Sequence, residues 1–236
     1  MGRGKLLLIF SLLLFGMLLY GTAFQEGDHY FLLSFAMLFV AMFPFFIRFE
    51  RKKMDARGIV LIAILAAFAA VSRVPFAVLP SVQPTTFIVI MTALVFGAES
   101  GCLVGAIAAL VSNLFLGQGP WTPWQMFAWG MVGLSAGLLK EWLWSRKKLY
   151  LLLFGFIWGF LFGWIMNLWY IIGFMENISW SVILTAIASS FYFDLAHALS
   201  NLFFLSIFAT RWKTILERFK VKYGLLKGGA NSVWLK

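Results

Sequence analysis

The chain has 236 residues, 62% of them hydrophobic and only 12% charged, with a formal net charge of +10. A water-soluble domain sits near half apolar and a quarter charged, so this composition excludes an ordinary soluble fold. The one cysteine, Cys102, lies in an apolar run and excludes a disulfide framework or a cysteine metal site.

Lys5 to Phe24 is an almost unbroken apolar run of the ~20 residues that cross a bilayer as a helix. Gly2 to Lys5 also fits the basic start of a signal peptide, but no small-x-small cleavage site precedes Phe24, which favours a retained helix. Gln25 to His29 is a short acidic loop, Tyr30 to Phe49 a second span, and Arg48 to Arg57 a basic connection. A third span covers Gly58 to Leu79, and Pro80 to Pro84 (PSVQP) breaks it. Thr85 to Phe96 is a short fourth span, with Gly97 to Gly101 read as a loop and Cys102 to Leu116 as a fifth. Gly117 to Pro123 turns into a sixth span, Trp124 to Leu139. Lys140 to Lys148 is basic, Leu149 to Phe174 is a seventh span, Met175 to Ser181 a turn, and Val182 to Thr210 an eighth. The tail from Arg211 is basic, and Trp212, Ile215, Leu216 and Phe219 share one helical face, which reads as a helix on the inner leaflet surface.

If every span crosses once, 18 of the 19 basic residues fall on one side. By the positive-inside rule that side is the cytoplasm, with both termini in it. The charge therefore reflects topology, not nucleic-acid binding. The expected fold is an all-α polytopic integral membrane protein of the cell membrane. Two N-terminal spans (1–50) precede a six-helix module (57–210) and a basic amphipathic tail (211–236).

The segment Ser112 to Gly130 carries Trp121, Trp124 and Trp129, and places Asn113, Gln118, Thr122 and Gln125 beside Trp121 and Trp124, on the outer side. Apolar walls with a few polar groups suit a small-molecule site. A rigid interfacial hairpin anchored by indole rings accounts for the same residues. Small residues four apart recur in three helices: Ala63/Ala67 with Ala66/Ala70, Gly101/Gly105/Ala109, and Gly155/Gly159/Gly163. Such rows let helices approach closely in lipid, so the Gly rows read as internal packing; the Ala row is either packing or a smooth face for a partner. Arg73 and Asp194 lie within spans, where charges turn toward the protein interior. Ser190, Asp194, His197 and Asn201 form one helical stripe, Asn167 extends the Gly155 row, and Arg73 and Asp194 either pair or leave room for a water or ligand.

No P-loop, His-Glu-x-x-His or Gly-x-Ser-x-Gly motif occurs, so transport driven by ATP needs another subunit for hydrolysis. No cofactor or metal is expected. A rival reading is an intramembrane enzyme acting on a lipid or isoprenoid, centred on Asp194, His197 and Arg73; it requires those groups to converge.

Arg73-Val-Pro, Leu79 to Thr86, Val95 to Gly101 and Asn113 to Gln125 follow in order, and over about Arg57 to Thr210 the chain resembles the substrate-binding S components of energy-coupling factor (ECF) vitamin transporters. Gln-Pro-Thr-Thr and Gly-Pro-Trp-Thr-Pro-Trp-Gln most resemble the cobalamin-type subgroup. The resemblance implies a component that is not an enzyme and that binds a vitamin at the outer face. It also implies docking, through an Ala-x-x-x-Ala motif matching Ala63, Ala66, Ala67 and Ala70, onto a transmembrane coupling subunit with two ATP-binding cassette subunits. Such components topple in the membrane lipid to release their cargo inward. On this reading the expected site is Arg73, Gln83, Thr85, Asn113, Gln118, Trp121, Trp124 and Gln125, with Asp194 and His197 behind them. The two extra N-terminal spans depart from the family pattern.

Overall fold

A computed structural model describes residues 56–145, 147–175 and 178–223, so the two N-terminal spans lie outside the described residues. The described elements are all helical. They are α1 (Ala56–Val71), α2 (Pro84–Phe96), α3 (Ala98–Leu116), α4 (Thr122–Leu138), a short α5 (Lys140–Ser145), α6 (Lys148–Phe174) and α7 (Trp180–Lys222). Among the described residues, four segments are long and apolar enough to cross a membrane: 56–76, α3, α6 and α7. The protein is therefore a multi-pass membrane protein.

Prolines set the helix ends on one side of the bundle. After α1 the chain tightens into a 3-10 turn, Val74–Phe76, because Pro75 has no N–H to continue the α ladder. Pro84 opens α2 and Pro123 sits in the first turn of α4, positions where the missing N–H has no helical partner to lose. At the opposite end the expected Gly97–Gly101 loop shrinks to a single residue. Gly97 turns the chain at φ 103°, a region open to glycine, and α3 starts at Ala98. Glu99 falls in the first turn of α3, where the helix dipole favours an acidic side chain.

Glycines close the contacts between helices. A Cβ on Gly133 would strike the Gly101 backbone, and one on Gly105 would strike the Trp129 carbonyl, so α3 and α4 touch nearly backbone to backbone. Gly155 faces Leu205, Gly159 faces Ala198 and Gly163 faces the Asp194 carboxylate, which joins α6 to α7. Both Gly rows thus serve internal packing, as their spacing suggests. Every residue of α2 is buried.

Two expectations change. The tail does not form a separate helix, because residues 211–222 continue α7, a single helix of 43 residues. Trp212 packs against Phe68 (ring centroids 5.5 Å apart) and Phe87 (5.3 Å), and Lys220 Nζ donates to the Val95 carbonyl (2.7 Å). The segment is thereby packed onto the bundle. The Ala row also divides: Ala66 and Ala70 are buried in the core, while Ala63 and Ala67 are exposed beside Ile59, Ile64 and Phe68. Ala66 and Ala70 therefore offer no surface to a partner.

Candidate functional site

The ends of α1, α3 and α4 that carry PSVQP and GQGPWTP come together, tied by Arg73. Its Nη1 donates to Ser112 Oγ and to Asn113 Oδ1 (3.0 Å). Asn113 Nδ2 in turn donates to Thr122 Oγ1 (2.9 Å) and Gln125 Oε1 (2.8 Å). Thr122 Oγ1 donates to Gln118 Oε1 (2.9 Å), and Gln118 Nε2 donates to the Leu110 carbonyl (2.9 Å). Four of the expected site residues, Arg73, Asn113, Gln118 and Gln125, thus form one connected network, with Thr122, noted beside them in the sequence, and Ser112, which the sequence did not single out. Fully bonded buried networks rigidify a structure. This one holds the end of the bundle in register.

The remaining members of the expected site divide. Trp124 is 2% exposed and belongs to the core rather than to a cup wall. Trp121 is half-buried against Trp169, with ring centroids 6.0 Å apart in an edge-to-face arrangement. Thr85 is buried, and its hydroxyl donates to the Ala69 carbonyl (2.8 Å). Gln83 receives a different role: its backbone N–H donates to Ser200 Oγ (3.1 Å), while its buried Oε1 has no hydrogen-bond partner.

Below this network lies a second one. The Arg73 guanidinium sits over the Trp129 ring, 4.8 Å from its centroid. Trp129 Nε1 donates to Thr86 Oγ1 (3.0 Å), which lies 2.8 Å from His197 Nε2. Phe162 packs edge-on to His197, with centroids 5.0 Å apart. Trp129 and Thr86, the centre of this arrangement, were not anticipated as site residues; their 43-residue separation gives no local signal.

Arg73 and Asp194 do not pair. Asp194 is held by Ser190, whose Oγ donates to Asp194 Oδ2 (2.9 Å), and Asn167 Nδ2 donates to Ser190 Oγ (2.8 Å). Arg73 and His197 are linked only through Trp129 and Thr86, and Asp194 serves separate partners, so the three do not converge.

Two openings lie at this end of the bundle. A cavity of about 270 Å³ is lined by Arg73, Phe76, Ala77, Leu79 to Gln83, and Leu116. Ser81 in its wall adopts φ 58°, the one positive value outside glycine among the described residues. A groove of about 610 Å³ runs between α6 and α7, lined by Asn167, Tyr170, Ile171 and Met175 on one side and by Ser181, Val182, Thr185, Ala186, Ser189, Ser190 and Phe193 on the other. None of Asn113, Gln118, Trp121, Trp124 and Gln125 lines either opening. The groove is the feature sequence reasoning missed, although Asn167 and Ser190 both stood out as polar residues on apolar helices.

Comparison with known proteins agrees with this architecture. Residues 53–209 match the model of the ECF-type riboflavin transporter S component family. A UPF0397 protein of Vibrio atlanticus (strain LGP32) is 33% identical over 89 residues, covering 36% of this chain and 48% of that protein. A UPF0397 protein of Aliivibrio fischeri (strain MJ11) is 31% identical over 90 residues, covering 36% and 49%. The chain thus spans about half the length of the curated relatives it matches. No solved structure matches it. The match supports an S component and gives no support to the cobalamin-type subgroup. With two thirds of its length inside the family model, the chain belongs to the family of ECF-type riboflavin transporter S components, substrate-specific transport subunits that are not enzymes.

Proposed function

We propose that the protein captures riboflavin or a vitamin of similar size and planarity at the outer end of the bundle, and that the groove between α6 and α7 receives it. The observation that carries this reading is the groove itself. At about 610 Å³ it falls within the roughly 300–1,000 Å³ of small-ligand sites, and aromatic, aliphatic and hydroxyl side chains share its walls. The cavity beside Arg73, at about 270 Å³, lies below that range. A corrinoid is several times larger than a flavin and suits neither opening, so the reading moves from cobalamin to a smaller ring. Tyr170 and Phe193 supply aromatic surface for a planar ligand.

Delivery requires partners, because the chain carries no ATP-binding loop. Ala63 and Ala67, with the apolar residues around them, are the face we assign to the coupling subunit, which carries two ATP-binding cassette subunits. Both termini lie in the cytoplasm on this reading, with the basic connections.

Titrating the purified full chain into riboflavin and following flavin fluorescence tests the proposal. Saturable quenching at about one ligand per chain is expected. Absent quenching, together with a different vitamin in the mass spectrum of material co-purified from native membranes, would overturn the riboflavin assignment.

A further inference from the structure

Asn167 sits on the outer half of α6, in the wall of the groove. Its Nδ2 donates to Ser190 Oγ (2.8 Å) and points at the Ala186 carbonyl (3.4 Å). Neither hydrogen bond uses its Oδ1, which takes none among the described residues. The orientation of this amide follows from what lies behind it. The buried Asp194 carboxylate accepts from Ser190 (2.9 Å), nearer than the Ile187 carbonyl (3.2 Å) that the same hydroxyl also reaches, so Ser190 gives its proton to Asp194 and meets Asn167 as an acceptor. An amide that must donate on one side presents its carbonyl on the other. Gly163 makes the arrangement possible, since a Cβ there would collide with the Asp194 carboxylate.

We infer that Asp194, acting through Ser190, is a positioning residue that fixes the Asn167 carbonyl as an acceptor in the groove, and so selects ligands that present an N–H donor on their ring edge. This inference rests on the flavin reading above. Riboflavin has such a donor in its imide N3–H. A ligand without it would leave the Asn167 carbonyl desolvated and unmatched, a mismatch that a polar site rejects strongly. The stripe Ser190–Asp194 thereby acquires a purpose beyond joining α6 to α7.

The experiment compares riboflavin with N3-methylriboflavin by fluorescence quenching, using the full chain and its Asp194→Asn, Ser190→Ala and Asn167→Ala variants. The wild-type chain is expected to prefer riboflavin at least about fivefold. Asn167→Ala should erase that preference. Asp194→Asn, which conserves shape but brings a donor to face Ser190, should reduce it toward unity, and Ser190→Ala should do the same by breaking the relay. General damage would weaken both ligands alike and leave their ratio unchanged, so the ratio is the informative readout; Ser190→Ala serves if Asp194→Asn fails to fold. A wild-type ratio retained in both Asp194→Asn and Ser190→Ala overturns the relay, and one retained in Asn167→Ala overturns the acceptor. Failure of the wild-type chain to bind riboflavin overturns the flavin reading itself, a result visible before any variant is made.

Discussion

Helices α2 and α7 meet across the same bundle but belong to it in different ways. All 13 residues of α2 are buried, so it has no face left for lipid or ligand. Of the 43 residues of α7, only Asp194, His197, Ala198, Ser200, Asn201, Leu205, Ala209 and Leu216 are buried, and half of these are polar. The first is held by shape, among helices brought close by glycine. The second is held by glycine-close packing on α6 and by hydrogen bonds to its neighbours: His197 to Thr86, Ser200 to the Gln83 backbone, Asn201 to the Gly155 carbonyl and Ser190 to Asn167. Between helices in lipid such bonds contribute only about 0.6 kcal/mol on average. The half of the molecule built on α1 to α4 is therefore the scaffold. The hairpin of α6 and α7 meets that scaffold through these polar contacts and through Phe204 and Trp212 packed on Phe87.

The largest test of this contrast is Gly133→Ala. Its new methyl group meets the Gly101 backbone, which has no rotamer by which to yield, so a loss of about 1–3 kcal/mol is expected in reversible unfolding by denaturant. An Ala66→Leu and Ala67→Leu pair then separates scaffold from docking face. The buried position should lose a similar amount of stability. The exposed one should unfold as wild type yet recover less coupling subunit on co-purification; wild-type recovery would place the partner elsewhere. Thr86→Val follows, since it leaves the Trp129 N–H and His197 without their shared hydroxyl. We expect about 1–3 kcal/mol lost, with α7 loosening first, as read by faster hydrogen exchange in its outer half. Smallest of all is Gln118→Ala. It removes two bonds of an exposed side chain, to the Leu110 carbonyl and from the Thr122 hydroxyl, which water can replace, so stability should change by about 1 kcal/mol and vitamin affinity should stay unchanged. A large drop in affinity would return the GQGPWTP loop to the binding site.

These regions also differ in how far the sequence discloses them. Helix positions, the meeting of the two Pro-bearing loops and the internal role of the glycine rows are legible because Pro, Gly and apolar run length act locally. The Gly97–Gly101 segment misleads, since it reads as a loop until the helix start beside it is known. Trp124 misleads in another way: a tryptophan near a proline turn is as compatible with the core as with the interface, and only the direction of the helix face decides. Asn113, Gln118 and Gln125 were chosen for their hydrogen-bonding capacity, but capacity says nothing about whether partners are already present. Here they satisfy one another. The groove could not be read at all, because it depends on the end of α6 and the start of α7 lying beside each other, and no run of residues records that relation.

The continuity of α7 carries a mechanical meaning. At 1.5 Å per residue its 43 residues make a rod of roughly 65 Å, about twice the ~30 Å hydrocarbon layer. One end walls the groove, and the other is fastened near the end of α2 by Lys220. A strut with neither proline nor glycine along its length has no natural joint. Whatever shifts the groove-lining end must then turn the whole strut, and the tip held by Lys220 moves with it.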